Sequence, residues 1–216
     1  MKKIFRVAVD GPSGAGKSTI AKAVADKLGI DYIDTGAMYR SVGYKMMRKG
    51  ISVEDEELLR KMLDETDIDF YENNIILDGE IINDKIRTSE ISKMASLCSA
   101  VPAVREKLVE LQRGMGEKKS VIMDGRDIGT NVFKDAEYKF FLTASPEERA
   151  DRRYKELKEK GESISYDEVL KNIKQRDHND STRKLNPLRK ADDALEVDTT
   201  GLSIEDVIDN VLKEIK

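Results

Sequence analysis

The segment that most constrains this chain is residues 4–19, an apolar run followed by a glycine-rich turn. Four residues separate Gly11 from Gly16, and Lys17 and Ser18 follow directly. This spacing is typical of a loop whose backbone N–H groups surround a polyphosphate. The helix expected to begin near Lys17 adds its own free N–H groups and a positive end. The segment therefore predicts a strand, an anion-binding loop and a helix in immediate succession.

The side chains of this loop suit a nucleotide. Lys17 offers an ammonium group to the β and γ phosphate oxygens, and Ser18 offers a hydroxyl to the magnesium that accompanies a nucleotide. The alternative is a glycine-rich turn with a surface lysine, and the flanking strand and helix weigh against it. We predict a mononucleotide-binding loop made of Gly11, Pro12, Ser13, Gly14, Ala15, Gly16, Lys17, Ser18 and Thr19.

The composition excludes several other classes of protein. A chain of 216 residues can form one sizeable core, or a core with a small inserted lobe. One cysteine, Cys98, and one histidine, His178, cannot form an intramolecular disulfide or a zinc site. The net charge of −4 gives no general attraction to nucleic acid, and no apolar run is long enough to cross a bilayer. Because Arg6 and Asp10 interrupt the first apolar run, we expect no signal peptide. We predict a cytoplasmic monomer without nucleic-acid or membrane partners.

Strands and helices alternate along most of the chain, which predicts an α/β fold. The order strand, loop, helix, strand, helix over residues 4–50 is typical of a parallel sheet. Further strands are expected at 120–123, 138–143 and 194–198, which makes five in all. Helices are expected at 17–28, 35–50, 52–64, 89–100, 103–114, 146–160, 166–176 and 203–215.

Residues 67–87 have a different pattern. Short alternating runs are separated by Asn-Asn and Asp-Gly turn signals, which predicts a small antiparallel sheet. Within a parallel architecture such a sheet indicates an insertion that packs beside the main sheet and closes over a substrate. A stability element without motion is the alternative.

One carboxylate and three arginines are candidate ligands at the carboxyl edge of the sheet, where α/β proteins bind their ligands. Asp124 follows an apolar strand, the place of a carboxylate that holds magnesium or its water, although it could instead accept from loop backbone donors. Arg40, Arg105 and Arg126 come from three separate elements, and a guanidinium can bind two phosphate oxygens at once. Each alone could be a surface salt-bridge residue, but together they indicate a second phosphate site.

A further basic tract extends from Arg149 to Lys190 and includes Arg152 and Arg153. Its charged helices are joined by the polar segment 177–187, which predicts a hinge. A hinged basic segment can fold over a nucleotide, exclude water and stabilise charge on a moving phosphoryl group. A solvated charged face is the alternative.

Five motifs in chain order resemble those of the bacterial cytidylate kinases, and the resemblance covers nearly the whole chain. It implies a P-loop three-layer fold with an inserted NMP-binding subdomain and a short helical lid. Residues 1–34 and 101–216 would form the core, 35–100 the NMP-binding region, and about 150–187 the lid. The motifs are the Gly-Pro-Ser-Gly-Ala-Gly-Lys loop, Asp34-Thr35-Gly36-Ala37-Met38-Tyr39-Arg40, Ile86-Arg87-Thr88, Asp124-Gly125-Arg126-Asp127-Ile128-Gly129-Thr130 and Arg176-Asp177-x-x-Asp180-x-x-Arg183.

The resemblance also implies an activity, the transfer of the γ-phosphoryl group of ATP to CMP or dCMP with magnesium (Mg2+). It implies catalytic roles for Lys17, Arg126 and Arg153, and magnesium binding by Ser18 and Asp124. Some family members have glycine in place of Ser18, which leaves open whether Ser18 or Thr19 reaches the metal. The implied acceptor-site residues are Ser96, Arg105, Asp127 and Arg183 for cytosine, Arg176 and Asp180 for the sugar, and Thr35, Arg40 and Arg126 for the acceptor phosphate.

Such a reaction needs positioning and charge stabilisation more than covalent help, and the acceptor phosphate is already an anionic nucleophile. Two alternatives stay open. One is a kinase for another small acceptor, and the other is an ATP-dependent switch or assembly protein. A GTPase switch would carry an Asn-Lys-x-Asp motif, which this sequence lacks.

Overall fold

The computed structural model describes residues 4–72 and 74–215. Its described residues fall into two compact units, one that runs to Tyr32 and resumes at Lys119, and one that spans Ile33–Lys118. We call them unit 1 and unit 2. The strands are β1 (Arg6–Asp10), β2 (Asp31–Asp34), β3 (Ile68–Tyr71), β4 (Asn74–Leu77), β5 (Glu80–Ile81), β6 (Val121–Gly125), β7 (Tyr138–Thr143) and β8 (Leu195–Asp198). The α-helices are α1 (Lys17–Leu28), α2 (Thr35–Lys49), α3 (Glu56–Asp64), α4 (Ser89–Cys98), α5 (Pro102–Lys118), α6 (Pro146–Glu159), α7 (Tyr166–Thr182) and α8 (Ile204–Glu214).

The main sheet has five strands, as the sequence predicts, and their order is β2-β6-β1-β7-β8. β1 lies between β6 and β7 and is parallel to both, and β8 is parallel to β7. The register places Val9 opposite Asp124 and Asp10 opposite Gly125. The carboxyl ends of β1 and β6 are therefore adjacent, and both strands are buried along nearly their whole length.

The core of unit 1 fixes this edge in place. Apolar side chains of α1 and α8 pack with those of the sheet in one buried cluster. Ser203 caps the start of α8, since its Oγ accepts a hydrogen bond from the backbone N–H of Asp206 and so satisfies a donor at the helix end. Members of the cluster include Val7, Ile20, Val24, Ile122, Leu142, Val207 and Val211.

The predicted small antiparallel sheet is confirmed in unit 2, where its order is β3-β4-β5. β4 pairs antiparallel with both neighbours. Asp78 and Gly79 join β4 to β5 and both have positive φ angles, as the tight turn of a two-residue hairpin requires. The Asn-Asn turn signal includes Asn73, which lies outside the described residues. In the same unit α2 packs against α4.

One predicted boundary is wrong. α7 continues to Thr182, so the first part of the segment 177–187 is helix and not a polar hinge. Polar side chains do not end the helix because they bond within it: Ser181 Oγ donates to the carbonyl of Asp177 at 2.8 Å, and Thr182 Oγ1 donates to that of His178 at 2.7 Å. A second boundary differs similarly, since α5 passes Gly114 and reaches Lys118.

None of the helices formed by residues 4–72 and 74–215 combines the length and the apolar content that a membrane span requires.

Candidate active site

The predicted phosphate loop joins the end of β1 to the start of α1. Gly14 and Gly16 have φ angles of 78° and 83°, in the left-handed region that glycine adopts without strain. A Cβ atom at Gly11 would collide with the carbonyl oxygen of Leu142. The glycines are therefore required by the backbone path, and the loop ends where the N-terminus of α1 presents free N–H groups.

Lys17 is the buried cation of this loop. Lys17 is only 5% exposed, and its Nζ donates a hydrogen bond to the carbonyl of Pro12 at 2.8 Å. The pKa of Lys17 is lowered to about 7, chiefly by burial and then by the charge of Arg126, while Asp124 and Asp10 oppose the shift. An anion beside Lys17 would favour the charged ammonium, because the opposite charge compensates for the lost solvent.

Asp124 brings a carboxylate to the same place. It accepts hydrogen bonds from Ser18 Oγ at 2.9 Å and from the Tyr32 hydroxyl at 2.8 Å. Magnesium typically binds one or two carboxylates together with waters and substrate phosphates, so a carboxylate and a hydroxyl beside the loop fit this ion. Among the described residues no three His, Cys, Asp or Glu side chains cluster as a metal site.

Two ion pairs connect the segment after β6 to α7 and its C-terminal end. Arg126 Nε donates to Asp180 at 2.8 Å, and Arg183 Nη2 donates to Asp127 at 3.0 Å. Both pairs are largely buried. Burial alone would raise the pKa of Asp180, but the charges of Arg126 and Arg176 outweigh it and lower that pKa. The structure thus brings together five residues predicted for the acceptor site.

Asp10, which the sequence analysis did not assign to the site, binds the segment that follows β6. Its carboxylate accepts the backbone N–H groups of Ile128 and Gly129, each at 2.8 Å. These residues begin a single π-helical turn, Ile128–Val132, an arrangement common at functional sites. Asn131 of this turn donates to Asp127 Oδ2 at 3.1 Å. Burial raises the pKa of Asp10 to about 6 against the lowering effect of the two N–H groups. The only sequence signal is the position of Asp10 directly before Gly11.

The arginines of α6 have unequal surroundings. Arg152 donates to both oxygens of Thr199 and approaches the phosphate loop, since its Nη1 would lie 3.9 Å from a Cβ atom at Gly16. Arg153 is half-exposed and pairs with Glu156 at 2.6 Å. The catalytic role implied for Arg153 stays a prediction, and Arg152 is the neighbour of the loop.

Unit 2 holds the other four residues predicted for the acceptor site. Thr35 is buried in the first turn of α2, and Arg40 of the same helix pairs with Asp34 at 2.8 Å. Arg105 is buried, donates to the carbonyl of Ser99 at 3.3 Å and lies 5.8 Å from the ring centroid of Tyr39. The half-buried Ser96 accepts from Ser99 Oγ through its carbonyl. Their substrate contacts stay predictions.

Comparison with known proteins agrees with this geometry. The family model described as cytidylate kinase matches residues 7–216. The chain is 56% identical over 209 residues to a cytidylate kinase of Clostridioides difficile (strain 630), which covers 97% of each chain. It is 51% identical over 211 residues to one of Caldanaerobacter subterraneus subsp. tengcongensis, which covers 98% of this chain and 94% of the relative.

Solved structures agree on the fold. An uncharacterized protein from Eubacterium ventriosum ATCC 27560 has a TM-score of 0.56 at 15% identity, with 99% of this chain and 98% of that chain covered. A shikimate kinase from Acinetobacter baumannii has a TM-score of 0.52 at 13% identity, with 99% and 94% covered. At these identities the likeness concerns the fold alone. Because the family model and the curated relatives span nearly the whole chain, this protein belongs to the cytidylate kinase family.

Proposed function

We propose that this protein transfers the γ-phosphoryl group of ATP to CMP or dCMP, giving CDP or dCDP. The observation that carries the proposal is the match to cytidylate kinases over residues 7–216, with a phosphate loop at one end of the matched region and the RDxxDxxR helix near the other. The geometry of unit 1 supports it, because Lys17 and the Asp127–Arg183 pair belong to the same compact unit.

The residues of the phosphate loop would bind ATP. Backbone N–H groups and the N-terminus of α1 suit its phosphates, and Lys17 supplies a cation in a dry environment, where charge interactions are strong. Ser18 and Asp124 would hold Mg2+, which neutralises charge on the phosphates when bound. Ser18 is favoured over Thr19 for this role because its hydroxyl is already bonded to Asp124.

Asp127 and Arg183 would recognise the base. A carboxylate accepts from the amino group of cytosine, which uracil lacks, and a guanidinium donates to the acceptor atoms of the ring. Arg176 and Asp180 would bind the sugar, and Arg126 the phosphate. For Thr35, Arg40, Ser96 and Arg105 of unit 2, the family resemblance supports the proposed binding of the acceptor nucleotide. Buried Cys98 suits a reducing compartment, and we extend the proposal to a cytoplasmic monomer.

A panel of acceptors tests the proposal. The protein is incubated with ATP, magnesium and CMP, dCMP, UMP, AMP or shikimate, and ADP release is followed. We expect kcat/KM for CMP or dCMP to exceed that for UMP by about 10²-fold or more, because uracil would turn a carbonyl oxygen towards the Asp127 carboxylate where cytosine presents an amino donor. Equal rates with all acceptors would refute the assignment of cytosine. ATP hydrolysis that no acceptor accelerates would instead support a switch or assembly protein.

A substitution separates the base site from the ATP site. Arg183→Ala removes the partner of Asp127, so KM for CMP should rise on the order of 10²-fold while KM for ATP changes little. The matched control is Arg189→Ala, which removes an exposed arginine a few residues along the chain. Equal damage to the use of both substrates would assign Arg183 to the lid.

A further inference from the structure

Arg149 is a buried arginine to which neither the motifs nor the proposed function gives a role. It lies on α6, and the residue is 3% exposed. Nε donates to the carbonyl of Ala144 at 2.9 Å, and Nη1 donates to the carbonyl of Ser13 at 3.0 Å. Nη1 and Nη2 also donate to the two carboxylate oxygens of Asp177, at 3.0 Å and 2.7 Å. One guanidinium therefore joins the phosphate loop, the start of α6 and the middle of α7.

We propose that Arg149 and Asp177 are positioning residues, which fix the phosphate loop and α7 relative to one another for phosphoryl transfer. Neither residue is expected to touch a substrate. The inference rests on the proposed function, since α7 carries Arg176 and Asp180.

The first consequence concerns the loop. A peptide unit is planar and trans, so its C=O and N–H point in opposite directions. Because the carbonyl of Ser13 is held by Arg149, the N–H of Gly14 is turned to the other side of the chain. Gly14 itself lies close to the Arg149 side chain, since a Cβ atom added at Gly14 would lie 3.2 Å from Cβ of Arg149. The pair thus sets the direction of one backbone donor in the phosphate loop.

The second consequence concerns α7. Residues at intervals of i, i+4 and i+7 share one helix face, and these positions are occupied by Arg176, Asp180 and Arg183, the last at the C-cap. Asp177 is displaced from that face by about 100°, and it points to Arg149. Two parallel hydrogen bonds fix a carboxylate in direction as well as in distance. The pair therefore sets the rotation of α7 about its axis and, with it, the direction of the substrate-facing residues.

Packing of the two helices has other sources. α6 and α7 share an apolar cluster of their own. A second ion pair between them, Lys174–Glu147 at 3.0 Å, is exposed on both sides. The feature that distinguishes Arg149 from this pair is its third contact, the bond to Ser13. The cluster consists of Ala150, Leu157, Val169 and Ile173.

Asp177→Asn tests the proposal, with Lys174→Gln as the matched control on the same helix. Asparagine keeps the shape of the side chain and loses one of the two charged hydrogen bonds. Because a displacement of about 1 Å costs on the order of 10²-fold in rate, we expect kcat to fall by up to this factor and KM for both ATP and CMP to rise. Lys174→Gln should leave all three constants within about twofold, as removal of an exposed ion pair has little effect.

The outcomes separate positioning from stability. The constants are measured well below the unfolding temperature of each variant. If Asp177→Asn lowers that temperature but keeps kcat and both KM values equal to those of Lys174→Gln, the Arg149–Asp177 pair only stabilises the packing of α6 against α7. That result would overturn the proposal. If Asp177→Asn does not fold, Arg149→Lys is measured in the same way, because lysine keeps the charge and loses the bidentate contact.

Titration with ADP tests the positioning role of Arg149 and Asp177 separately from the proposed kinase activity. ADP uses the phosphate loop and requires no acceptor. Calorimetry should show ADP affinity about tenfold weaker in Asp177→Asn than in Lys174→Gln, even if the wild-type protein phosphorylates no monophosphate. Equal ADP affinities would overturn the positioning role, whereas a wild type inactive on every acceptor would overturn the proposed function.

Discussion

Asp10 and Asp124 occupy nearly equivalent places in the sheet but have different surroundings. They lie at the carboxyl ends of the adjacent strands β1 and β6, and each residue is 4% exposed. Asp10 accepts two backbone N–H groups, whereas Asp124 accepts two side-chain hydroxyls. Backbone donors are fixed by the fold, but a hydroxyl can rotate towards another acceptor. Asp10 is thus held by donors that the fold fixes, whereas the two hydroxyls that donate to Asp124 can turn to other acceptors.

This contrast shows that a place at the sheet edge does not by itself assign a role. Asp10, the residue directly before the phosphate loop, is bonded to the turn that follows Asp127, so it can position the proposed base site. Asp124 is bonded to Ser18 at the start of α1, where a metal-bound nucleotide would lie. Both carboxylates oppose the lowering of the pKa of Lys17, and they share this electrostatic effect. Four experiments distinguish the effects of Asp10 and Asp124 on turnover, stability and substrate binding.

The largest expected effect is on turnover in Asp124→Asn. The amide retains an acceptor for a hydroxyl but loses the charge that we propose attracts magnesium and that favours the charged form of Lys17. We expect kcat with ATP and CMP to fall on the order of 10²- to 10³-fold, while the free energy of unfolding in urea changes little. A higher magnesium requirement should accompany the loss. Turnover within threefold of wild type would show that Asp124 only satisfies neighbouring donors.

The next effect concerns stability and pH, and it belongs to Asp10. Burial raises its pKa from 3.8 to about 6 in the folded protein. Between these two pKa values the folded protein binds a proton at Asp10 that the unfolded chain has already released. This difference in proton binding stabilises the folded state at low pH, and the stabilisation is lost as the pH rises to 6 and above. The difference between the unfolding free energies of wild type and Asp10→Asn should fall by roughly 2 kcal/mol between pH 4 and pH 7. Urea titrations at each pH measure it, and a difference that stays constant contradicts the raised pKa.

The sequence predicts a role for one of these two carboxylates and not for the other. Asp124 is a candidate because it follows an apolar strand in a chain that also carries a phosphate loop. Asp10 also follows an apolar strand, but its donors lie 118 and 119 positions away, and only the adjacency of β1 and β6 brings them near. Local pattern predicted the helices, the strands and the loop, whereas strand order and long-range hydrogen bonds needed coordinates.

The same limit explains α7 and Arg149. A polar segment from Asp177 onward reads as a hinge, because no local signal shows that Asp180 is buried against Arg126. Arg149 likewise reads as one cation of a charged helix, although three segments of the chain converge on it. Arg40, Arg105 and Arg126 were predicted from their places in the chain, whereas the roles of Asp127 and Arg183 were available only through family resemblance, since no spacing rule connects these two residues.

A smaller effect is expected on substrate binding in Asp10→Asn at neutral pH. Asparagine has one acceptor oxygen and presents an amide N–H₂ group to a second backbone donor, so the turn at Ile128 should shift. Asp127 would move with it. We expect KM for CMP to rise by about tenfold and KM for ATP to change less, because a lost buried hydrogen bond costs about 1–3 kcal/mol. Steady-state titration of each substrate distinguishes this from the loss of kcat expected in Asp124→Asn. Equal changes in both KM values would show that Asp10 acts on the phosphate loop.

The smallest effect is expected in Tyr32→Phe, which removes one hydroxyl donor from Asp124 and keeps the ring. Since Ser18 still donates to the other carboxylate oxygen, kcat should fall only a few-fold, and the free energy of unfolding should decrease by about 1 kcal/mol. Tyr71→Phe, at an exposed tyrosine, is the control for loss of a hydroxyl. If Tyr32→Phe reduces turnover as severely as Asp124→Asn, the tyrosine hydroxyl is a fixed support of the carboxylate. Asp124 would then be held as firmly as Asp10, and the distinction between a positioning carboxylate and one that exchanges partners would fail.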